Sequence, residues 1–251
     1  MIPKRFLLLP ALVIAVVASQ TLAQTGQQQT GRDQVVAKED PREPNTLTDA
    51  EKEAGWRLLF DGKTTEGWRN YRRDGINEGW QVVDGALTKT STSAGDIVTT
   101  DQFGAFELVF EYRIGEGGNS GVMYHVKETE PNPWRTGPEI QLQDNEGGHD
   151  PQKAGWLYAL YPAETDATKP AGEWNEIRVL ITPEKCEHYM NGVKYCEYVK
   201  GSDDWNEKVA ASKFGSMENF GKADEGHLCF QGDHQGDLAF RNVRIREISG
   251  E

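Results

Sequence analysis

Little in this chain points toward nucleic acid, a membrane or a common cofactor. No basic stripe runs through it: 27 lysines and arginines stand against 40 aspartates and glutamates, a formal net charge of −13. Such a chain repels phosphate backbones and anionic lipid, which argues against both as partners and implies solubility, with room for a cation. The apolar run from Phe6 to Val17 is too short to cross a bilayer comfortably and is interrupted by Pro10. Three cysteines allow at most one disulfide within the chain. There is no P-loop, no dinucleotide fingerprint and no Ser-His-Asp order. Internal repeats are absent and helical periodicity is nearly so.

What is present begins with a leader. Lys4 and Arg5, the apolar run and Ser19-Gln20-Thr21-Leu22-Ala23 follow the order of a secretory signal peptide over residues 1–23. The mature protein is therefore expected to be periplasmic or secreted. Losing Lys4 and Arg5 leaves 25 basic residues against 40 acidic ones, a net charge of −15. Residues 24–45 hold Pro41 and Pro44 and almost no large apolar side chains, so they cannot offset their ordering entropy and are expected to form a flexible linker. Residues 46–251 suit one all-β domain.

Within that domain Thr48 and Glu51 form a capping-box pattern, predicting one short N-terminal helix. Trp68 and Trp80 sit among apolar strand residues and are expected in the core. Asp84-Gly85 and Asn191-Gly192 mark two tight hairpins. With a plain two-residue turn at Asn191-Gly192, Cys186 opposes Glu197 and Cys196 opposes Glu187, so the two thiols point to opposite faces and stay free. The polar stretch with Trp205, Phe214 and Phe220 is read as a loop, and the last strand is expected to bulge near Asn242.

The domain is organised around Thr136 to Asn145. As a strand it sends Ile140 and Leu142 to one face and Glu139, Gln141 and Gln143 to the other. Two earlier segments alternate similarly: Phe106 to Arg113 places Glu111 and Arg113 on its polar face, and Asn119 to Val126 places Asn119, Met123 and His125 together. If the three strands are neighbours, these polar side chains converge on one surface suited to sugar hydroxyls.

The segments Leu58 to Lys63, Asn119-Ser120-Gly121, Gly137 to Gln141, Pro170 to Asn175, Glu187 to Gly192 and Phe240 to Glu247 occur in the order found in the 3-keto-disaccharide hydrolase family, which the chain resembles over roughly residues 46 to 249. Tyr189 stands where that pattern would carry tryptophan. The resemblance implies a concanavalin A-like jelly-roll sandwich of two antiparallel sheets, a carbohydrate substrate and cleavage of 3-keto-glycosides. A 3-keto group acidifies the proton on C2, so such a site needs a base, a stabiliser for the enolate and an acid for the leaving group.

Glu139, following a stiff Gly-Pro pair, is the first candidate for base or metal ligand. His125 is either a second acid–base group or a satisfied wall histidine. Arg113 and Gln141 could bind hydroxyls or an enolate oxygen, or Arg113 could simply pair with Glu111. Asn119 is a further candidate contact, and His188 is either another or, with Met190, Val193 and Tyr195 on its face, a structural residue of the hairpin. Trp134 and Tyr158 are either sugar-stacking rings or packing residues, and Trp174 is expected to pack beneath the groove. Asp144, His149 and Asp150 have donor types compatible with a divalent cation, without recognised spacing. A different class of function remains open, a non-catalytic carbohydrate-binding module.

Overall fold

The computed structural model describes residues 42–248; the leader and most of the expected linker lie outside them. The described chain opens with helix α1 (Asp49–Glu53), then β1 (Arg57–Leu58), β2 (Trp68–Asn70), β3 (Trp80–Val83), β4 (Ala86–Lys89) and β5 (Ile97–Thr99). The long strands β6 (Phe106–Ile114) and β7 (Asn119–Val126) are followed by β8 (Glu139–Gln143) and β9 (Trp174–Ile181). The hairpin β10 (Cys186–Met190) and β11 (Val193–Tyr198) leads to helix α2 (Asp203–Ala211), and β12 (His227–Phe230) and β13 (Leu238–Glu247) close the chain.

These strands make two antiparallel sheets. One has eight strands in the order β11-β10-β9-β6-β13-β4-β3 with β1 also on β13; the other has five in the order β2-β5-β12-β7-β8. The expected all-β jelly-roll sandwich is the observed fold. Its core follows from strand alternation: β9 is half-buried and buried in strict turn, so Ile177, Val179 and Ile181 all point inward. Phe230 of β12 bridges the layers, with its ring centroid 4.0 Å from Phe240 and 4.5 Å from Trp68. Trp68 and Trp80 lie in this core as expected, each Nε1–H satisfied by a backbone carbonyl, Leu59 at 2.7 Å and Gly95 at 2.8 Å.

Several local expectations hold. Thr48 and Glu51 cap α1 reciprocally. Asp84-Gly85 and Asn191-Gly192 take positive φ at both positions, as primed hairpin turns require. The register of β13 against β6 slips between Arg241 and Arg244, with Asn242 at φ 54°.

Other expectations are corrected. Residues 203–211 form a helix rather than a loop, with Ser202 as its N-cap; Trp205 is its one buried residue, so no apolar helical stripe was there to read. Hairpin β10–β11 contains a bulge that sets His188, not Glu187, opposite Cys196 and Tyr198 opposite Cys186. The slip by one residue brings the two cysteines to the same face, and both remain free thiols. Trp174 lies on the outer face of the larger sheet, with the guanidinium groups of Arg113 at 4.8 Å and Arg241 at 4.2 Å from its ring centroid.

The linker boundary also moves. Asn45 is 9% exposed; its backbone N–H donates to Asn242 Oδ1 at 2.6 Å, and Asn242 N–H donates back to Asn45 Oδ1 at 2.8 Å. Its Nδ2 donates to the Gly85 carbonyl at 2.8 Å. The domain thus includes Asn45. A truncation starting at residue 42 should leave the melting temperature within a few degrees. Asn45→Ala should lower stability by about 1–3 kcal/mol, the cost of leaving buried partners unpaired. Thermal unfolding of both variants checks the boundary, and equal melting temperatures would refute it.

Candidate active site

The site is built on the outer face of the five-stranded sheet. β7 and β8 pair so that Asn119 opposes Gln143, Gly121 opposes Gln141 and Met123 opposes Glu139. Ile140 and Leu142 therefore go to the core and Glu139, Gln141 and Gln143 to the opposite face, as their alternation predicts. These three are nonetheless buried, at 6%, 0% and 2% exposure. The cause is the aromatic-rich segment after β8, which folds back along it. Gly155 N–H donates to the Gln141 carbonyl at 2.8 Å and Tyr158 N–H to the Glu139 carbonyl at 2.9 Å.

Two glycines make room for this arrangement. A Cβ on Gly137 would stand 2.5 Å from Val126 Cγ2, so only glycine lets the turn before Glu139 pass β7. A Cβ on Gly121 would overlap Glu139 Oε1 and lie 2.8 Å from its Cδ; the carboxyl lies across the space that side chain would occupy.

A cavity of about 180 Å³ opens above Glu139 and Gln141. One wall carries Trp134, Tyr158 and Lys213, with the Lys213 ammonium 4.0 Å from the Tyr158 ring centroid. The other carries Asn119, Gln231, Asp233 and His234. This second wall is tied down from below: Asp96 Oδ1 accepts from Gly232 N–H at 2.9 Å, and Lys89 Nζ donates to the His234 carbonyl. Burial, opposed by the amides of Gly232 and Asp233, pushes the Asp96 carboxyl up to about 6.

Glu139 has the chemically distinctive environment. Burial pushes its carboxyl up to about 8; the Lys213 ammonium works against the shift, and the carboxylates of Asp150, Asp96 and Asp233 add to it. Both ends of the neighbouring Gln141 amide are buried without a hydrogen-bond partner among the described residues, and so is Gln231 Oε1. Each such group costs on the order of 1–3 kcal/mol. Unsatisfied amides beside a carboxyl that burial raises to about 8 form a polar surface able to exchange hydrogen bonds with a ligand.

The structure brings together Glu139, Gln141, Asn119, Trp134, Tyr158 and Asp150 and sets Glu111, Arg113, His125, Asp144, His149 and His188 outside the cavity lining. Glu111 and Arg113 belong to β6 in the opposite sheet, because the Gly115–Gly118 turn crosses between sheets instead of closing a hairpin. There Glu111 accepts from Arg241 Nε at 2.6 Å and from Asn242 Nδ2 at 2.8 Å. His125 has φ 54°, which resets the alternation of β7, so Val126 joins Met123 on the groove side instead of Val122 and Tyr124 in the core. The His125 ring turns away to donate to the Gly104 carbonyl at 2.8 Å, where burial and Lys200 push it down to about 4.

His188 is a core residue. Its Nδ1–H donates to the Gly155 carbonyl at 3.2 Å and its Nε2 accepts from the Tyr198 hydroxyl at 3.0 Å, while burial lowers it to about 4. Asp144 serves its own turn: although burial works against it, the Gly117, Glu146 and Gly147 amides hold its carboxyl below the usual range. His149 is exposed, and Asp150 accepts from the Tyr158 hydroxyl at 2.8 Å. Among the described residues no three His, Cys, Asp or Glu side chains are grouped to hold a metal ion.

Lys213, Gln231, Asp233 and His234 were not foreseen as site residues. Three of them lie in the single run Gln231 to His234 and Lys213 lies in the segment after α2, all far in sequence from β8 and without a shared motif. In the structure Gly232 fits where a larger residue would not, because a Cβ there would overlap the Gly95 carbonyl oxygen and lie 2.8 Å from the Trp80 ring, a constraint that one strand's alternation does not reveal.

Residues 55–246 match the family described as the 3-keto-alpha-glucoside-1,2-lyase-like domain. The chain belongs to that family. A relative from Bacteroides thetaiotaomicron, named 3-keto-disaccharide hydrolase, is 29% identical over 230 residues, which is 77% of this chain and 79% of that protein. A crystal structure from Parabacteroides distasonis, described as a candidate glycosyl hydrolase, is 37% identical with a TM-score of 0.77, spanning 82% of this chain and all of the other. A second from the same organism, described alike, is 27% identical with a TM-score of 0.62, over 77% of this chain and 99% of the other. Family membership accords with the order of motifs in the sequence.

Proposed function

We propose that this family member is an exported enzyme that cleaves the glycosidic bond of 3-keto-glycosides, with Glu139 as the base. The supporting observation is the Glu139 carboxyl itself, buried on the floor of the groove and pushed up to about 8. A general base works best when its pKa lies near the operating pH, and burial moves Glu139 in that direction. Names borne by its relatives point to the same substrate class.

In this reading ionised Glu139 takes the C2 proton, and the C–H electron pair flows toward the C3 ketone to form an enolate. The pair then returns, forming C1=C2 as the C1–O bond breaks. The departing oxygen takes up the proton that Glu139 removed. Water adds across C1=C2, oxygen to C1 and hydrogen to C2, giving net hydrolysis. The unpartnered Gln141 amide and Gln231 Oε1 hold substrate polar groups, and the Tyr158 and Trp134 rings flank the sugar.

The test compares a disaccharide with its 3-keto form. Sugar release from the oxidised form alone supports the elimination route. Equal cleavage of both would argue for ordinary glycoside hydrolysis, and binding without release would identify a carbohydrate-binding module.

A further inference from the structure

Lys213 is the lysine that lines the groove, and it does so against aromatic rings. Lys185 and Lys194 pair with Glu187, Lys200 with Asp224 and Lys208 with Asp204. Among the described residues Lys213 forms no ion pair and no hydrogen bond. Its ammonium is held instead by rings, 4.0 Å from the Tyr158 centroid, 5.2 Å from Phe214 and 5.9 Å from Trp134. The backbone beneath it is anchored. Ser212 Oγ accepts from Phe214 N–H at 3.1 Å, and the buried Phe214 ring stacks on Phe220 at 3.9 Å between centroids. Lys213 is itself exposed, so the ring contacts and this anchored backbone are what hold its ammonium at the groove.

Aromatic faces orient an ammonium without supplying a counter-anion, so the charge stays available to the groove it lines. A 3-keto-glycoside carries no negative charge as it binds. One appears only when the C2 proton has left and electron density gathers on the C3 oxygen. A cation placed there gains most of its interaction in the transition state, the condition for accelerating the chemical step.

We propose that Lys213 is a catalytic residue opposite Glu139: its ammonium donates a hydrogen bond to the C3 oxygen as the enolate forms. This rests on the 3-keto reading above. No net proton transfer from Lys213 is required, since the electron pair returns from the oxygen when the C1–O bond breaks. With Asp150 and Asp233 on the same groove, the arrangement suits neutral 3-keto-sugars and disfavours those bearing a carboxylate or phosphate.

The experiment uses Lys213→Gln and Lys213→Arg in the full chain, with a 3-keto-disaccharide and a 4-nitrophenyl 3-keto-glucoside as substrates. For Lys213→Gln, kcat should fall roughly tenfold or more with little change in KM, and Lys213→Arg should recover part of the loss. The fall should be equal for both leaving groups, because the stabilised oxygen is on C3. The acid limb of the rate profile should move to higher pH, because the ammonium no longer favours ionised Glu139. The loss of kcat should persist on the plateau above that limb, where a lysine acting only on the Glu139 pKa would leave the rate unchanged. An unchanged kcat, a defect confined to KM, or one that disappears with the 4-nitrophenyl leaving group would each overturn the assignment. A parent protein inert on both substrates overturns the 3-keto reading and this inference with it, whereas an active parent with an equally active Lys213→Gln overturns this inference alone.

Discussion

Glu139→Gln should reduce turnover of a 3-keto-glycoside about a hundredfold or more, the scale of one general base. The change keeps the shape and nearly the volume, so the sandwich should survive, and sugar binding should persist because an amide still donates and accepts hydrogen bonds. The parent's rate should rise with pH and level off above about 8, where burial has moved the carboxyl. Stability should follow the opposite course. A folded-state pKa raised from 4.5 to about 8 means that folding favours the protonated form. That contribution is fully present below the unfolded value of 4.5 and is lost as pH rises through about 8. Glu139→Gln removes this slope, so at pH 8 and above the variant should be more stable than the parent by as much as a few kcal/mol. Rate–pH profiles and denaturant unfolding at pH 6 and 9 are the measurements. An undiminished rate would remove Glu139 from the mechanism, and an unchanged pH dependence of stability would contradict its buried ionisation.

Gly121→Ala should be nearly as damaging to activity, though it removes no functional group. Its methyl would overlap Glu139 Oε1, with Cγ and Cδ each 2.8 Å away, so the carboxyl must swing out of position. A displacement of about 1 Å in a reacting group can cost on the order of a hundredfold in rate. Crowding a packed strand should also cost about 1–3 kcal/mol of stability. Kinetics beside thermal unfolding separate the two effects. A fully active Gly121→Ala would show that the carboxyl tolerates another position and would weaken its assignment as a precisely placed base.

How much of this was legible depended on the range of the interaction. Ile140, Leu142 and Glu139 were assigned to their faces by period-two alternation, a property of one strand. Asp84-Gly85 and Asn191-Gly192 announced their turns because few residue pairs tolerate positive φ twice in succession. The capping box of α1 involves residues three apart. Helix α2 escaped because it buries a single residue, and the β10–β11 bulge because nothing in the hairpin sequence marks the extra residue.

The site itself divides along the same line. By itself the sequence determined that a carboxyl and two amides share one polar strand face after a stiff turn, and its ordered motifs pointed to the family. Only tertiary structure decided that β6 belongs to the opposite sheet, which removes Glu111 and Arg113, and that a positive φ turns His125 away. It also decided the chemistry of Glu139. Alternation specifies the direction of a side chain within its own strand, but a pKa depends on what excludes water from above and which charges arrive from elsewhere. Here those are the chain folded back along β8, the Gln231–His234 wall and the Lys213 ammonium, brought to one place by the packing of the sandwich.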